Sequence, residues 1–236
     1  MKAAWRALAL LLGAAVLLQL FFVCRIALMA VSDPMSTSVQ RSQAWQLATG
    51  PKKWRWHQQW VPYDRISDHL KRAVLTSEDD GFVDHSGVQW EAIQKAWQRN
   101  ARAQARAAHS SQPVRIYGGS TITQQLAKNL LLSGERSLLR KGQELVLAKI
   151  LELLLDKQRI LELYLNSVEW GTGVFGAEAA AQHYFRKHAA QLSPPEAARL
   201  AVMLPQPRYY ETTPRSTYLL ARARAVLRRM GHTSLP

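Results

Sequence analysis

The chain has 236 residues and a formal net charge of +14, from 31 Lys and Arg against 17 Asp and Glu. Its one cysteine, Cys24, excludes an intrachain disulfide, and its seven histidines show no paired spacing, so a zinc site is not expected. If the domain lies outside the cytoplasm, such an excess of positive charge favours binding to an anionic membrane surface or to anionic lipid headgroups, and not to nucleic acid.

The first predicted element is a membrane anchor. Lys2 and Arg6 precede an uncharged run over residues 7–24, which is long enough to cross a bilayer, and Arg25 can extend to one face. A cleaved signal peptide is the alternative, but the run is longer than a usual signal core. We therefore predict a single-pass anchor over residues 1–31, with its short basic end in the cytoplasm and the rest outside.

Residues 32–62 are predicted to connect this anchor to the membrane surface. The segment interleaves tryptophans with cations, which is typical of the headgroup zone. A tryptophan cluster in the core of the domain is the alternative, because tryptophan is usually largely buried. The residues concerned are Trp45, Trp54, Trp56, Trp60, Lys52, Lys53, Arg55 and His57. Residues 63–236 then suffice for one domain with a substantial core.

An acidic, glycine-containing stretch at residues 77–90 separates two predicted helices. Apolar residues follow helical spacing over residues 66–77 before it and over residues 90–97 after it. At such a break Glu78 can be half-buried against apolar helix faces, which raises its pKa toward the value that a general base needs. A solvated acidic cap for the second helix is the alternative.

The second helix is predicted to run into a mobile basic loop, over residues 98–117. This segment has no apolar stripe and carries Arg99, Arg102, Arg106 and Arg115. It is either a flap over a site or a solvated linker.

Paired glycines and hydroxyl residues mark the next helix start, in Gly118-Gly-Ser-Thr-Ile-Thr-Gln-Gln125. A helix N-terminus offers free N–H groups and a partial positive charge, which suit an anion such as a phosphate. The residue order of a Walker loop is absent. Capping alone explains Ser120 and Thr121, but it does not explain the polar residues that follow, which are Thr123, Gln124, Gln125, Lys128 and Asn129.

A further helix is predicted over residues 136–155, with a charged start and an apolar remainder. Arg140 and Lys141 precede Glu144 at helical spacing, so the three charges share one face. The apolar part is predicted to be buried, since it is too short to span a bilayer. Buried charges are costly unless they are paired or functional, and surface ion pairing is the alternative.

The remaining elements are predicted to be structural helices. They cover residues 157–166, 176–185 and 193–204, with a last arginine-rich helix between Thr213 and Gly231. No strand alternation is evident, so the domain is predicted to be all-α.

Four segments in this order resemble family 51 glycosyltransferases, the peptidoglycan glycosyltransferases. They are Glu78-Asp79…Phe82…His85…Gly87, Gly118-Gly-Ser-Thr-Ile-Thr-Gln-Gln125, Arg140-Lys141…Glu144, and Lys157…Ile160-Leu-Glu162…Tyr164-Leu-Asn166. The Ser-x-x-Lys and Lys-Thr-Gly elements of a penicillin-binding transpeptidase are absent, so the resemblance is to the monofunctional biosynthetic transglycosylases. One departure is Gln89, where the family usually has an acid.

The resemblance implies a lysozyme-like, two-lobed α-helical domain on the periplasmic face of the inner membrane of a Gram-negative bacterium. It implies that lipid II and the growing glycan strand are the substrates, that Glu78 is the base, and that Glu144 is the second acid. Displacement of the polyprenyl pyrophosphate would invert the donor carbon to give a β-1,4 glycan. The predicted substrate-binding residues are Ser120, Thr121, Thr123, Gln124, Gln125, Lys128, Asn129, Arg136, Arg140 and Lys141.

The sequence also bears on cofactors, partners and two competing functions. No cofactor is required, although a Mg²⁺ or Mn²⁺ ion could bridge the pyrophosphate, and cell-wall synthesis or division proteins are possible partners. A lytic transglycosylase or muramidase would share the fold but has no phosphate to hold. A non-catalytic cell-wall scaffold would have no reason to combine Glu78 and Glu144 with the three cations Lys128, Arg136 and Lys141.

Overall fold

The structure, a computed structural model, describes residues 2–50, 56–107, 118–132, 134–135 and 137–236. The helices in these ranges are α1 (Lys2–Leu28), α2 (Ser38–Thr49), α3 (Asp68–Glu78), α4 (Trp90–Ala107), α5 (Ile122–Leu131), α6 (Leu138–Leu154), α7 (Lys157–Ser167), α8 (Ala177–Phe185), α9 (Pro194–Met203), α10 (Pro207–Thr212) and α11 (Thr217–Arg229). Short 3₁₀ turns lie at Tyr63–Arg65, Ala189–Gln191 and Met230–His232.

The predicted all-α class is confirmed, and the sequence missed two helices. Helix α2 begins with a capping box, in which Thr37 and Gln40 each bond the backbone N–H of the other. Its face is only weakly apolar, so periodicity did not reveal it. Helix α10 begins at Pro207, soon after the helix predicted to end at residue 204, because proline is compatible with the first turn of a helix. The two-lobed division stays a prediction.

A small sheet corrects the prediction that the domain has no strands. Strand β1 (His57–Gln58) pairs in parallel with β3 (Val174–Phe175), and β2 (Glu169–Gly171) pairs with β3 in the antiparallel sense. The strands have two or three residues each, so their side chains are too few to show an alternating pattern.

The core forms where α3, α9 and α11 pack together and where α5 lies against α6 and α7. Helix α5 contributes Leu126 and Leu130, which are fully buried, and α7 contributes the buried Tyr164. The prediction that the apolar part of α6 is buried is wrong for one side of the helix. Val146 is 48% exposed and Leu153 is 82% exposed, because α5, α7 and α1 cover only part of the surface of this helix.

The tryptophan-rich segment divides between the core and the surface. The Trp56 ring lies 4.8 Å from that of Phe175, and Trp60 packs against the core, whereas Trp45 is 72% exposed. Trp54, Lys52, Lys53 and Arg55 lie outside the described residues, as do Arg115 and the rest of residues 108–117.

Among the described residues, α1 is the one helix that is long and apolar enough to cross a membrane. Its residues are exposed up to position 18, its second half contains the buried Phe22 and Ile26, and the helix contacts α6. This arrangement is compatible with a single-pass anchor.

Candidate active site

Glu78 ends α3 at the predicted break between helices. Its carboxylate accepts a hydrogen bond of 3.0 Å from the side-chain amide of Gln125 in α5. The hydroxyl of Tyr164 in α7 donates to the other end of that amide, also at 3.0 Å. Burial raises the pKa of Glu78, and it outweighs the opposing effects of the Gln125 amide and the positive charge of Arg222. A carboxylate in this state is suited to accept a proton.

Asp79 holds the segment after Glu78 onto the start of α5. Its buried carboxylate accepts the backbone N–H of Ile122 at 2.9 Å and contacts the imidazole Nε2 of His85 at 2.9 Å. The His85 Nδ1 atom accepts the backbone N–H of Gly87 at 3.0 Å, which leaves Nε2 as the donor to Asp79. The first two sequence motifs are thus joined by the residue beside the candidate base.

Gly87 lets this loop lie directly against α6. Its φ is +82°, and a Cβ atom there would meet the backbone carbonyl of Ala148 at 3.1 Å and the Glu152 side chain at 2.8 Å. Two lysines fix the loop from the same side. Lys149 donates to the Ser86 carbonyl at 2.6 Å, and Lys157 donates to the His85 carbonyl at 2.6 Å.

Several polar residues of the glycine-rich motif serve the structure of α5. The Thr121 hydroxyl accepts the backbone N–H of Gln124 and donates to the Gly87 carbonyl at 2.6 Å. The Gln124 side chain accepts the backbone N–H of Thr121, which completes a capping box. Thr123 donates to Glu152 at 2.6 Å. These bonds hold the start of α5 in place, and binding of an anion by the same residues stays a prediction.

Ser120 belongs instead to a charged cluster on α6. The Lys141 ammonium donates to the Ser120 hydroxyl at 3.0 Å and forms an ion pair with Glu144. Glu144, which is 3% exposed, also accepts a bond of 3.0 Å from Arg140. The predicted common face of these charges is confirmed. Lys141 remains 39% exposed and can reach an external anion.

Helix α5 contacts both Glu78 and the charged cluster that contains Glu144. Ser120 lies just before the cap of α5 and contacts the Lys141–Glu144 pair, while Gln125 lies in its second turn and contacts Glu78. A half-buried carboxylate of raised pKa and a cationic cluster therefore stand on either side of one helix start. Such a pair can remove a proton from one group and stabilise negative charge on another.

The remaining predicted residues are placed as follows. Lys128 and Asn129 are half-buried in the later turns of α5. Arg136 lies outside the described residues. The described part of the chain contains no group of three His, Cys, Asp or Glu side chains that could hold a metal ion.

Three contributors to the site were not identified from the sequence. Asp79 and Tyr164 stand in the motifs, but only the folded chain brings them to Ile122 and Gln125. The charge of Arg222 reaches Glu78 from α11, which is remote in sequence. The side chain of Gln89 packs against Gly81, and a Cβ atom on residue 81 would overlap the side-chain amide of Gln89.

Sequence similarity relates this chain to a family of known proteins. The family model described as Transglycosylase matches residues 46–231. The chain is 52% identical over 220 residues to the biosynthetic peptidoglycan transglycosylase of Herminiimonas arsenicoxydans, covering 93% of this chain and 91% of that protein. The protein of the same name from Burkholderia thailandensis is 52% identical over 224 residues, covering 95% of this chain and 84% of that protein. That of Bordetella pertussis is 51% identical over 222 residues, covering 94% and 90%.

Proposed function

This chain belongs to the transglycosylase family and is a peptidoglycan glycosyltransferase, and from that premise we propose how its residues act. The substrates are lipid II and the growing glycan strand. Glu78 takes the proton from the 4-hydroxyl of the incoming sugar as that oxygen attacks the anomeric carbon of the donor strand. The single observation that carries this assignment is that burial raises the Glu78 pKa while Gln125 holds its carboxylate at 3.0 Å.

The Gln125 and Tyr164 contacts support Glu78 in this role. Gln125 is itself held by the Tyr164 hydroxyl, so the Glu78 carboxylate bonds to an amide that is already oriented. A base that is already oriented loses little entropy when the transition state forms. In the reaction step, the proton moves from the sugar hydroxyl to Glu78 while the new glycosidic bond forms and the bond to pyrophosphate breaks. This single displacement inverts the configuration of the donor carbon.

The leaving pyrophosphate is proposed to lie at the cationic cluster. Lys141 is partly exposed, and its contact with Ser120 places its ammonium group beside the start of α5. Arg136 and Lys128 are further candidates for the same charge. Glu144 orients Lys141 and Arg140 through their ion pairs. Charge stabilisation of the leaving group is the main task at this end.

The protein is proposed to act at the outer face of the inner membrane, with α1 as a single-pass anchor and the remainder of the chain in the periplasm. The exposed Leu138 and Leu139 stand at the start of α6, directly before Arg140 and Lys141. Apolar side chains in that position would bring the cluster to the headgroup level, where the pyrophosphate of a lipid substrate lies. Cell-wall synthesis or division proteins are proposed as further partners.

No protein-held cofactor is proposed. A Mg²⁺ or Mn²⁺ ion at the site would be bound mainly by pyrophosphate oxygens, because Glu144 already holds two cations.

The test is polymerisation of labelled lipid II by the full chain in lipid vesicles, with Glu78→Gln and Lys141→Ala beside the wild type. We expect glycan polymer from the wild type and a loss of about 10²-fold or more for Glu78→Gln, since a general base contributes that much. Asp80→Asn is the matched control, because Asp80 is exposed and paired with Arg229. Shortened products from preformed glycan, without polymer from lipid II, would indicate a lytic enzyme. If neither polymer nor shortened glycan is formed, the protein would be a non-catalytic scaffold.

A further inference from the structure

A pair of glutamine side chains joins the anchor helix to the helix that carries the cationic cluster. Gln19 of α1 donates to Gln143 of α6 at 3.0 Å, and Gln143 donates back to Gln19 at 3.0 Å. Gln19 is also the first residue from the start of α1 that is not exposed. An amide within an apolar helix is costly unless it is hydrogen-bonded, and this reciprocal pairing meets that need for both helices.

The contact fixes more than the position of the anchor. From Gln19 onward, α1 carries the buried Phe22 and Ile26 at helical spacing, and the buried Met29 follows its last residue. Helices α1 and α6 contact each other, and the Gln19–Gln143 pair is a hydrogen-bonded part of that contact. Because these bonds are directional, they restrict rotation of α6 about its axis, in addition to its packing on α5 and α7.

That rotation matters because Gln143 stands next to Glu144. Neighbouring residues on a helix point about 100° apart, so holding Gln143 against α1 restricts the direction in which Glu144 projects. Glu144 in turn holds Lys141, which contacts Ser120 at the start of α5. A turn of α6 would therefore move the cations relative to Glu78.

A second contact braces the other half of the site. Arg159 of α7 donates to the Met29 carbonyl at 2.8 Å and to the Asp33 carboxylate at 2.8 Å, just beyond the end of α1. A cation at this place suits the free carbonyls of a helix C-terminus. Helix α7 also carries Tyr164, which holds Gln125 and so Glu78. The anchor thus contacts both helices from which the two acidic sites are held.

We infer that Gln19 and Gln143 are positioning residues for glycan synthesis, through which the anchor helix sets the orientation of the Lys141–Glu144 pair toward the donor pyrophosphate. This inference rests on the proposed function of that pair. The anchor is accordingly a part of the active enzyme's architecture and does more than hold the domain near the membrane.

The experiment uses the full chain in lipid vesicles and measures kcat and KM for labelled lipid II. The variants are Gln19→Leu, Gln143→Leu and the double substitution. We expect each single change to lower kcat about three- to tenfold with little change in KM, the range that an interhelical amide bond supports. The double variant should be no slower than the slower single variant, because neither helix then has an unpaired amide.

The matched control relocates the amide without changing the composition of α1. In Leu18→Gln combined with Gln19→Leu, the glutamine moves to a neighbouring, exposed position. We expect this variant to be as slow as Gln19→Leu, with thermal unfolding unchanged from the wild type. Wild-type kcat in the relocated variant would overturn the inference. So would a loss of rate that is matched by lower thermal stability and a higher KM, which indicates a structural role only.

The inference and the proposed function can fail separately. Wild-type rates in both single variants, with Glu78→Gln inactive, would make the anchor a passive tether and leave the catalytic assignment intact. Full activity of Glu78→Gln would overturn the proposed base, whatever the anchor variants show.

Discussion

The carboxylate of Asp79 accepts a 2.9 Å hydrogen bond from the backbone N–H of Ile122 in the first turn of α5. This bond uses one of the N–H groups that a helix start leaves without an internal partner. It fastens the residue after Glu78 to the helix whose next turn carries Gln125, the partner of Glu78. The base and the residue that orients it are therefore positioned by the same short piece of backbone.

Asp79→Asn is expected to destabilise the fold, because it weakens a buried, charge-assisted contact to Ile122 and His85. We expect a loss of about 1–3 kcal/mol in the free energy of unfolding, measured by denaturant titration. Asp80→Asn changes the adjacent acid, which forms an exposed ion pair with Arg229, and should cost about 1 kcal/mol or less. Equal losses for the two variants would contradict the structural role given to Asp79.

The acid side of the pH–rate profile should report the ionisation of Glu78. Burial raises its pKa above the ordinary value of 4.5, and the base acts only when ionised, so the rate should rise with pH through this raised value. Gln125→Leu removes a bond that lowers the pKa, and should move the acid limb of kcat/KM to higher pH. Arg222→Ala should move it in the same direction. An acid limb unaffected by either change would show that another group controls the rate.

Glu78→Gln should leave the fold as stable as the wild type or more stable at neutral pH. A carboxyl whose pKa is raised on folding stabilises the fold only while it is protonated, and this contribution is lost as pH rises through the raised value. Thermal unfolding of both proteins should therefore diverge in favour of Glu78→Gln as pH rises from about 4 to about 7. Greater stability of the wild type at neutral pH would argue that the ionised carboxylate is a structural partner.

Substitutions at Thr121 and Ser120 are expected to differ in effect, the first lowering stability and the second lowering activity. Thr121→Val removes the cap of α5 and the bond to the Gly87 carbonyl, and should cost about 1–2 kcal/mol of unfolding free energy. Ser120→Ala should leave stability nearly unchanged and lower kcat, because Lys141 loses the hydroxyl that aims it. The two variants are compared by denaturant titration and by the lipid II assay. A Ser120→Ala variant with wild-type kcat would remove Ser120 from the site.

The sequence by itself indicated most of the helices, the anchor run and the four motifs, but not α2 and α10. The helices and the anchor run depend on local patterns, namely helical spacing, capping residues and the length of an apolar run. The roles expected for Glu78 and Glu144 came from the family resemblance of the motifs that contain them. The same local reasoning assigned Thr121, Thr123 and Gln124 to anion binding, since hydroxyls at a helix start suit both an anion and a cap.

Tertiary structure alone decided which of these residues meet. Thr123 bonds Glu152, and Asp79 bonds Ile122 across more than forty positions in the chain. Gln19 finds Gln143 across 124 positions. Such contacts depend on how whole helices pack, and helix packing is set mainly by the sum of many apolar contacts, to which single polar pairs add direction. The sequence therefore indicates which residue types are available, and only the fold shows which of them are hydrogen-bonded to one another.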